Sequence, residues 1–271
     1  MKANHSPAWL VFILSGTFAF PTLAEPGAIT NGLNELQSTW ELSEGAIIRA
    51  APREKKLALV FTGHEFAEGA EAILEALSRH RAKGSFFFTG QFLSNSNFGP
   101  IVERVLRDGH YLGPHSDRHL LYCSWDKNKK LLVTREEFRT DLEANLAKIY
   151  RTGFERAKVR FFLPPYEQFN AEIAQWTREE GLQLINFTPG TRSNADYTGE
   201  AETNFVSSKT IFESITSKEQ HDPNGLNGFI LLLHIGSGPK RTDKFHRQFS
   251  ELLEYLGKKG YQFVSVEELL R

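Results

Sequence analysis

Gly113-Pro114-His115-Ser116-Asp117-Arg118-His119 follows the short run His110-Tyr111-Leu112 and carries two histidines four residues apart. At that spacing two imidazoles fall on one side of a helical turn and can reach a single divalent metal ion. A metal that does chemistry takes at least one more protein ligand and keeps a position open. The third ligand must therefore come from elsewhere in the chain. The stretch has a second property: a strand-like run breaks off into a cluster of polar groups.

That form recurs along the chain. Leu57-Ala58-Leu59-Val60-Phe61 ends in Thr62-Gly63-His64-Glu65, and 159–163 ends in Pro164-Pro165-Tyr166-Glu167. The run 182–187 leads into 188–197, and Phe229-Ile230-Leu231-Leu232-Leu233 ends in His234-Ile235-Gly236. Ser85-Phe86-Phe87-Phe88 and 262–266 complete the strand candidates. Between them, periodicity and stop signals predict helices over 67–81, 99–107, 134–150, 171–180, 208–218 and 243–258. Thr134-Arg135-Glu136-Glu137 has the form of a capping box opening one of them. Continuously apolar strands alternating with helices imply an α/β fold with a parallel sheet, open or closed into a barrel. In such folds functional residues collect at the C-terminal strand ends, where this chain puts its polar clusters.

The first residues read as a secretory signal over 1–24, with Lys2, an apolar run from Ala8 to Phe20, and a small-residue cleavage site at Thr22-Leu23-Ala24. Residues 25–53 read as a polar N-terminal arm and 54–271 as one sizeable α/β domain with a full core. A secreted or periplasmic protein follows from that reading. The net charge of −1 gives no electrostatic case for nucleic acid or an anionic membrane as partner. A single cysteine, Cys123, excludes an internal disulfide, so stability must come from the core, for which 22 phenylalanines are ample material. Cys123 reads as a buried thiol, and His110, His221 and His246 as surface residues.

Taken in order, His115-Ser116-Asp117-Arg118-His119, Pro164-Pro165-Tyr166, Asp196-Tyr197 and Leu232-Leu233-His234 resemble the motifs of the polysaccharide deacetylases of carbohydrate esterase family 4. The resemblance spans about Leu57 to Arg271. It implies a distorted (β/α) barrel of parallel strands and removal of N- or O-acetyl groups from an acetylated polysaccharide or oligosaccharide, with a divalent metal, often zinc. It further implies His115 and His119 as metal ligands, His234 as the acid that protonates the leaving sugar atom, and Asp196 as its orienting partner. Pro165, Tyr166 and Tyr197 are then expected at the glycan, with an oxyanion held by a backbone N–H near Tyr166.

Two positions depart from the family pattern. Members usually carry Thr-Phe-Asp-Asp-Gly at the first strand end, one Asp serving as base and the next as metal ligand. Here Thr62 and Gly63 stand in those places. Leu163 replaces the arginine that usually orients the base. Two readings follow. In one, His64 and Glu65 slide into the site, His64 completing a three-histidine metal set and Glu65 acting as base. In the other, the domain binds glycan without turning it over.

Overall fold

The computed structural model describes residues 40–271. The expected signal segment and the first part of the expected arm lie outside the described residues. From residue 41 the chain forms β1 (Glu41–Ser43), β2 (Ala46–Arg49), β3 (Lys56–Gly63), α1 (Ala70–Arg79), β4 (Gly84–Phe88), α2 (Gly90–Ser94), α3 (Gly99–Arg107) and β5 (Tyr111–Pro114). It continues through α4 (Arg135–Arg151), β6 (Phe161–Phe162), α5 (Ala171–Glu179), β7 (Gln183–Leu184), α6 (Ser208–His221), β8 (Phe229–His234), α7 (Phe249–Lys258), β9 (Gln262–Val264) and α8 (Val266–Leu269).

The strands close into an irregular barrel. β3 pairs in parallel with β8 on one side and with β4 on the other, and β4 pairs with β5. A single bond from Leu163 N–H to the Pro114 carbonyl (3.3 Å) carries the wall from β5 to β6, which pairs with β7. An isolated parallel bridge between Ile47 and Ile185 continues to β2, and β2 lies antiparallel against β8. The expected distorted (β/α) barrel is therefore present, and its seams on either side of the β6–β7 pair are one bond or one bridge wide.

Phenylalanine dominates the layer between sheet and helices, as its abundance suggests. Phe61 stacks on Phe86 (5.0 Å between centroids) and meets Phe249 of α7 edge-on (5.5 Å). Phe88 stacks on Phe92 at 4.0 Å. All five rings are fully buried, and truncating any one to alanine costs about 3–5 kcal/mol.

Several expectations are corrected. Residues 41–49 are a hairpin built into the barrel, not an arm over the surface, and every residue of β2 is buried. α1 starts at Ala70 rather than 67, and the N–H of Gly69 just before it donates to the Ile235 carbonyl (2.9 Å). α7 starts at Phe249 rather than 243, since the Asp243 carboxylate instead accepts from Ser208 N–H (2.6 Å). His110 is buried, not at the surface. Its Nδ1 accepts from Gly84 N–H (3.2 Å), and burial holds its pKa down to about 4. Thr134 and Glu137 do form a reciprocal capping box on α4. Cys123 is buried, and its burial raises the thiol pKa. Among the described residues no helix is long and apolar enough to cross a membrane.

Candidate active site

Strand register sets the site. Thr62 is paired with His234, Gly63 with Phe88, and Phe88 with Pro114. The residues that follow these ends, His64, Thr89, His115 and Pro164, therefore leave the barrel at one level. Together with the segment after β7 they surround a cavity of about 340 Å³. His64, Glu65, His115, His119, Tyr166, Glu167, Tyr197 and His234 all line it.

The His115–His119 segment is not the helical turn its spacing suggested. Ser116 (φ 71°) and His119 (φ 56°) adopt left-handed conformations, and the loop is held from behind by α4. Asn145 accepts from His115 N–H (2.9 Å) and donates to the Phe88 carbonyl (3.1 Å). Buried Asp141 accepts from Asp117 N–H, Arg118 N–H and the Tyr122 hydroxyl, at 2.8–3.1 Å. Lys148 pairs with Asp117 at 2.6 Å. The first amides of α2, Gly90 and Gln91, donate to the Ser116 and Asp117 carbonyls. Gly90 is needed there, because a Cβ would lie 1.7 Å from the Asp117 carboxylate. These supports were missed in the sequence, although Asp141, Asn145 and Lys148 recur at helical spacing on one face of α4.

A divalent metal finds suitable donor chemistry but no complete ligand set. Burial holds His115 and His119 neutral, with pKa values of about 3 and about 2, and lowers His64 as well. His115 Nδ1 lies 2.8 Å from the Leu163 carbonyl, the arrangement in which it donates and leaves Nε2 as the ligating atom. His119 lies beside it, with ring centroids 5.2 Å apart. His64 does not complete the set. Its ring stacks on that of His119 (4.3 Å, 21° between planes), and its Nδ1 engages the Thr89 hydroxyl at 3.2 Å. Lone pairs lie in the ring plane, so two nearly parallel stacked rings do not converge on one ion. Among the described residues no three His, Cys, Asp or Glu side chains do. The expected three-histidine set is not formed in this arrangement of the side chains.

Gly63, where the family usually carries the metal-binding aspartate, has no room for a side chain. A Cβ would sit 2.8 Å from the Phe88 ring and 3.0 Å from Ile235. The Thr62 hydroxyl is buried without a hydrogen-bond partner among the described residues. Glu65 is more than half exposed, with its nearest charge partner, His64 Nε2, 3.9 Å away. Leu163 packs its side chain in the core and serves the site through its carbonyl.

His234 and Asp196 form the best-defined pair. One oxygen of Asp196 lies 2.7 Å from His234 Nδ1 and the other accepts from His234 N–H at 2.9 Å. Burial alone would depress the imidazole pKa. The Asp196 charge and hydrogen bond, with the Glu167 charge, outweigh it and raise the value. With Nδ1 tied back, Nε2 is the nitrogen left to the cavity. Arg241, fully buried, fixes the Asp196 segment by donating to the carbonyls of Thr198 (2.9 Å) and Val206 (2.9 Å) and, at 3.4 Å, of Ala195. Nothing in the spacing of the sequence marked it.

Tyr166 and Glu167 both have positive φ, 57° and 54°. Two successive left-handed residues without glycine cost about 1–2 kcal/mol each, which the structure sustains by fixing their backbone. The Tyr166 ring is exposed on one side and lies against His119 (4.3 Å), and Trp125 approaches its edge at 6.4 Å. Tyr197, also exposed, lies against His234 at 4.7 Å. Pro165 does not line the cavity as expected. It is buried and shapes the turn, its carbonyl accepting from Gln168 N–H (3.2 Å). Glu167, a lining residue, was missed as a functional residue because it falls just past the recognisable Pro-Pro-Tyr.

The polysaccharide deacetylase family profile matches residues 49–185, half of the chain. A peptidoglycan-N-acetylglucosamine deacetylase of Bacillus cereus is 26% identical over 86% of this chain and 92% of its own. The peptidoglycan-N-acetylmuramic acid deacetylase PdaA of Bacillus subtilis is 22% identical over 80% of this chain and 72% of its own. Among solved structures, Bacillus subtilis PdaA, a family 4 carbohydrate esterase, superposes with a TM-score of 0.66 at 20% identity, covering 88% of each chain. A family 4 pseudoenzyme from Bacillus anthracis superposes with a TM-score of 0.64 at 19% identity, covering 85% of this chain and 70% of that one. The barrel, the ordered strand-end motifs and the family match agree: this chain belongs to the polysaccharide deacetylase family.

Proposed function

We propose that the chain hydrolyses acetyl groups, N- or O-linked, from an acetylated polysaccharide of the peptidoglycan class. The observation that carries this reading is the His234–Asp196 pair. A site that only holds glycan has no use for an imidazole whose Nδ1 is fixed by a buried carboxylate and whose Nε2 faces the cavity with a raised pKa. Acetyl transfer to water needs that group, because the departing amine or alkoxide must gain a proton as its bond to the acetyl carbon breaks. Tyr166 and Tyr197, each with an exposed ring beside a catalytic-face histidine, offer apolar faces and hydroxyls to a sugar ring. The relatives named as peptidoglycan deacetylases support the substrate class, and an exported location would bring the protein to such a polymer.

His115 and His119 are the donors that would hold the metal expected from the family. When bound, such an ion polarises the acetyl carbonyl and acidifies water. The third donor does not converge in this structure, so the acid–base groups of the chain itself carry the argument.

One observation favours a second reading, glycan binding without turnover: Thr62 and Gly63 carry no carboxylate where the family usually has two. Acetate release from peptidoglycan sacculi, with acetylated xylan and chitooligosaccharides in parallel, separates the two. Release by the wild-type protein, reduced at least 100-fold in His234→Ala, supports the enzyme. Saturable binding to sacculi with no acetate released supports the rival.

A further inference from the structure

We infer that Glu167, on the loop after β6, is the carboxylate that takes the proton from the attacking water, in place of the aspartate absent from the end of β3. This rests on the reading of the site as a deacetylase. Glu167 is held for a purpose other than packing. Its N–H donates to the Pro164 carbonyl (3.1 Å) and its carbonyl accepts from Asn186 Nδ2 (2.7 Å), while Asn186 N–H is tied to Ile47 (2.9 Å). The backbone is thus fixed from two sides in a conformation that non-glycine residues avoid, and strain of that kind collects at functional sites.

Its side chain differs from the bonded acids nearby and, being only partly exposed, from Glu65 and Glu202, which line the same cavity but face solvent. Glu68, Asp141 and Glu200 are each engaged by several N–H or ammonium donors. The Glu167 carboxylate makes no hydrogen bond or ion pair among the described residues, yet it lines the cavity that holds Thr62, His115, His119 and His234. His234 and Asp196 act on its charge, and His64, Glu65, His115, His119, Tyr166, Tyr197, Glu202 and Lys240 are the other titratable groups that line the cavity. Burial, with Asp196 adding and His234 opposing, raises its pKa to about 7, a value suited to a base working near neutrality. Glu65 lacks this setting, being more than half exposed.

The step balances with residues of this chain. As the water oxygen bonds to the acetyl carbon, Glu167 accepts the water proton and the carbonyl electron pair moves to oxygen. When that pair returns, the bond from carbon to the sugar nitrogen or oxygen breaks. The leaving atom keeps the bonding pair and takes the proton from His234 Nε2. The products are acetic acid, which ionises to acetate, and the free amine or hydroxyl; Glu167 releases its proton to solvent and His234 takes one up, which restores both groups.

The test compares Glu167→Gln, Glu167→Asp and Glu65→Gln in the full chain, with thermal unfolding as a check on folding. Acetate release from sacculi should fall at least 100-fold in kcat for Glu167→Gln, with KM changed little, and recover in part in Glu167→Asp. Glu65→Gln should cost less than tenfold. In the wild type kcat/KM should rise with pH as Glu167 ionises near 7, and that rise should vanish in Glu167→Gln. A folded Glu167→Gln with near-normal kcat, or a Glu65→Gln that abolishes turnover, overturns the assignment. Absence of turnover in the wild type overturns the functional reading itself. The position of Glu167 is then judged by NMR titration of the His234 imidazole, whose pKa must drop in Glu167→Gln. An unmoved titration overturns the proposal.

Discussion

Asp196 occupies two donors of His234 at once, the ring Nδ1 and the backbone N–H. Orientation and protonation of this imidazole therefore have one source. Asp196→Asn keeps the shape but removes the charge that raises His234. The basic limb of the kcat/KM profile should move to lower pH, and the rate should fall by about 10²-fold or more. A profile unmoved in Asp196→Asn would show that Asp196 does not set this imidazole. Beside His115 and His119, the His64 ring lies flat on that of His119 rather than converging with it. Zinc content after loading, measured by elemental analysis, should be the same in His64→Ala as in wild type and lower in His115→Ala. Metal lost from a folded His64→Ala would restore the three-histidine set. His115, His119, Asp196 and His234 were legible because each sits in a motif at a strand end. Glu167 was not, since a glutamate after a tyrosine carries no signal until backbone geometry turns it inward.

At the scale of elements, the site consists of loops held from behind by groups that never touch the cavity. α4 presents Asp141, Asn145 and Lys148 to the His115–His119 loop. Arg241 plays the same part for the Asp196 segment, satisfying carbonyls that would otherwise be buried unpaired. Arg241→Met should lower stability by about 3–5 kcal/mol, and activity at a temperature where the variant is still folded should fall as well. Denaturant unfolding with acetate release checks both. Loss of stability with full kcat would confine Arg241 to the fold. The strands were legible because five of them are runs of apolar residues ending in polar clusters. The helical turn expected at His115 was not found, because Asn145, Asp141 and the α2 amides take the groups a turn would have bonded internally.

For the whole molecule, barrel closure depends on the hairpin at residues 41–49. β2 bridges to β7 at Ile47–Ile185 and pairs with β8 at Arg49–Phe229, so the strand that carries His234 is also braced by it. A chain beginning at Pro52 should be destabilised by several kcal/mol, since it removes Ala46 and Ile47, both fully buried, uncovers the apolar surface they pack against, and leaves the Asn186 N–H without the Ile47 carbonyl. Urea unfolding of that chain against one beginning at Ser38 measures the difference, and equal midpoints would remove the hairpin from the core. The sequence offered little warning: β2 is only four residues long, and its burial comes from partners more than 130 residues away. The central claim, that this barrel turns over acetylated glycan, is tested most directly by mass spectrometry of peptidoglycan fragments incubated with the wild-type protein and with His234→Ala. Acetyl groups should be lost with the first and the fragments should stay intact with the second. Fragments that bind the wild-type protein and keep every acetyl group would contradict that claim.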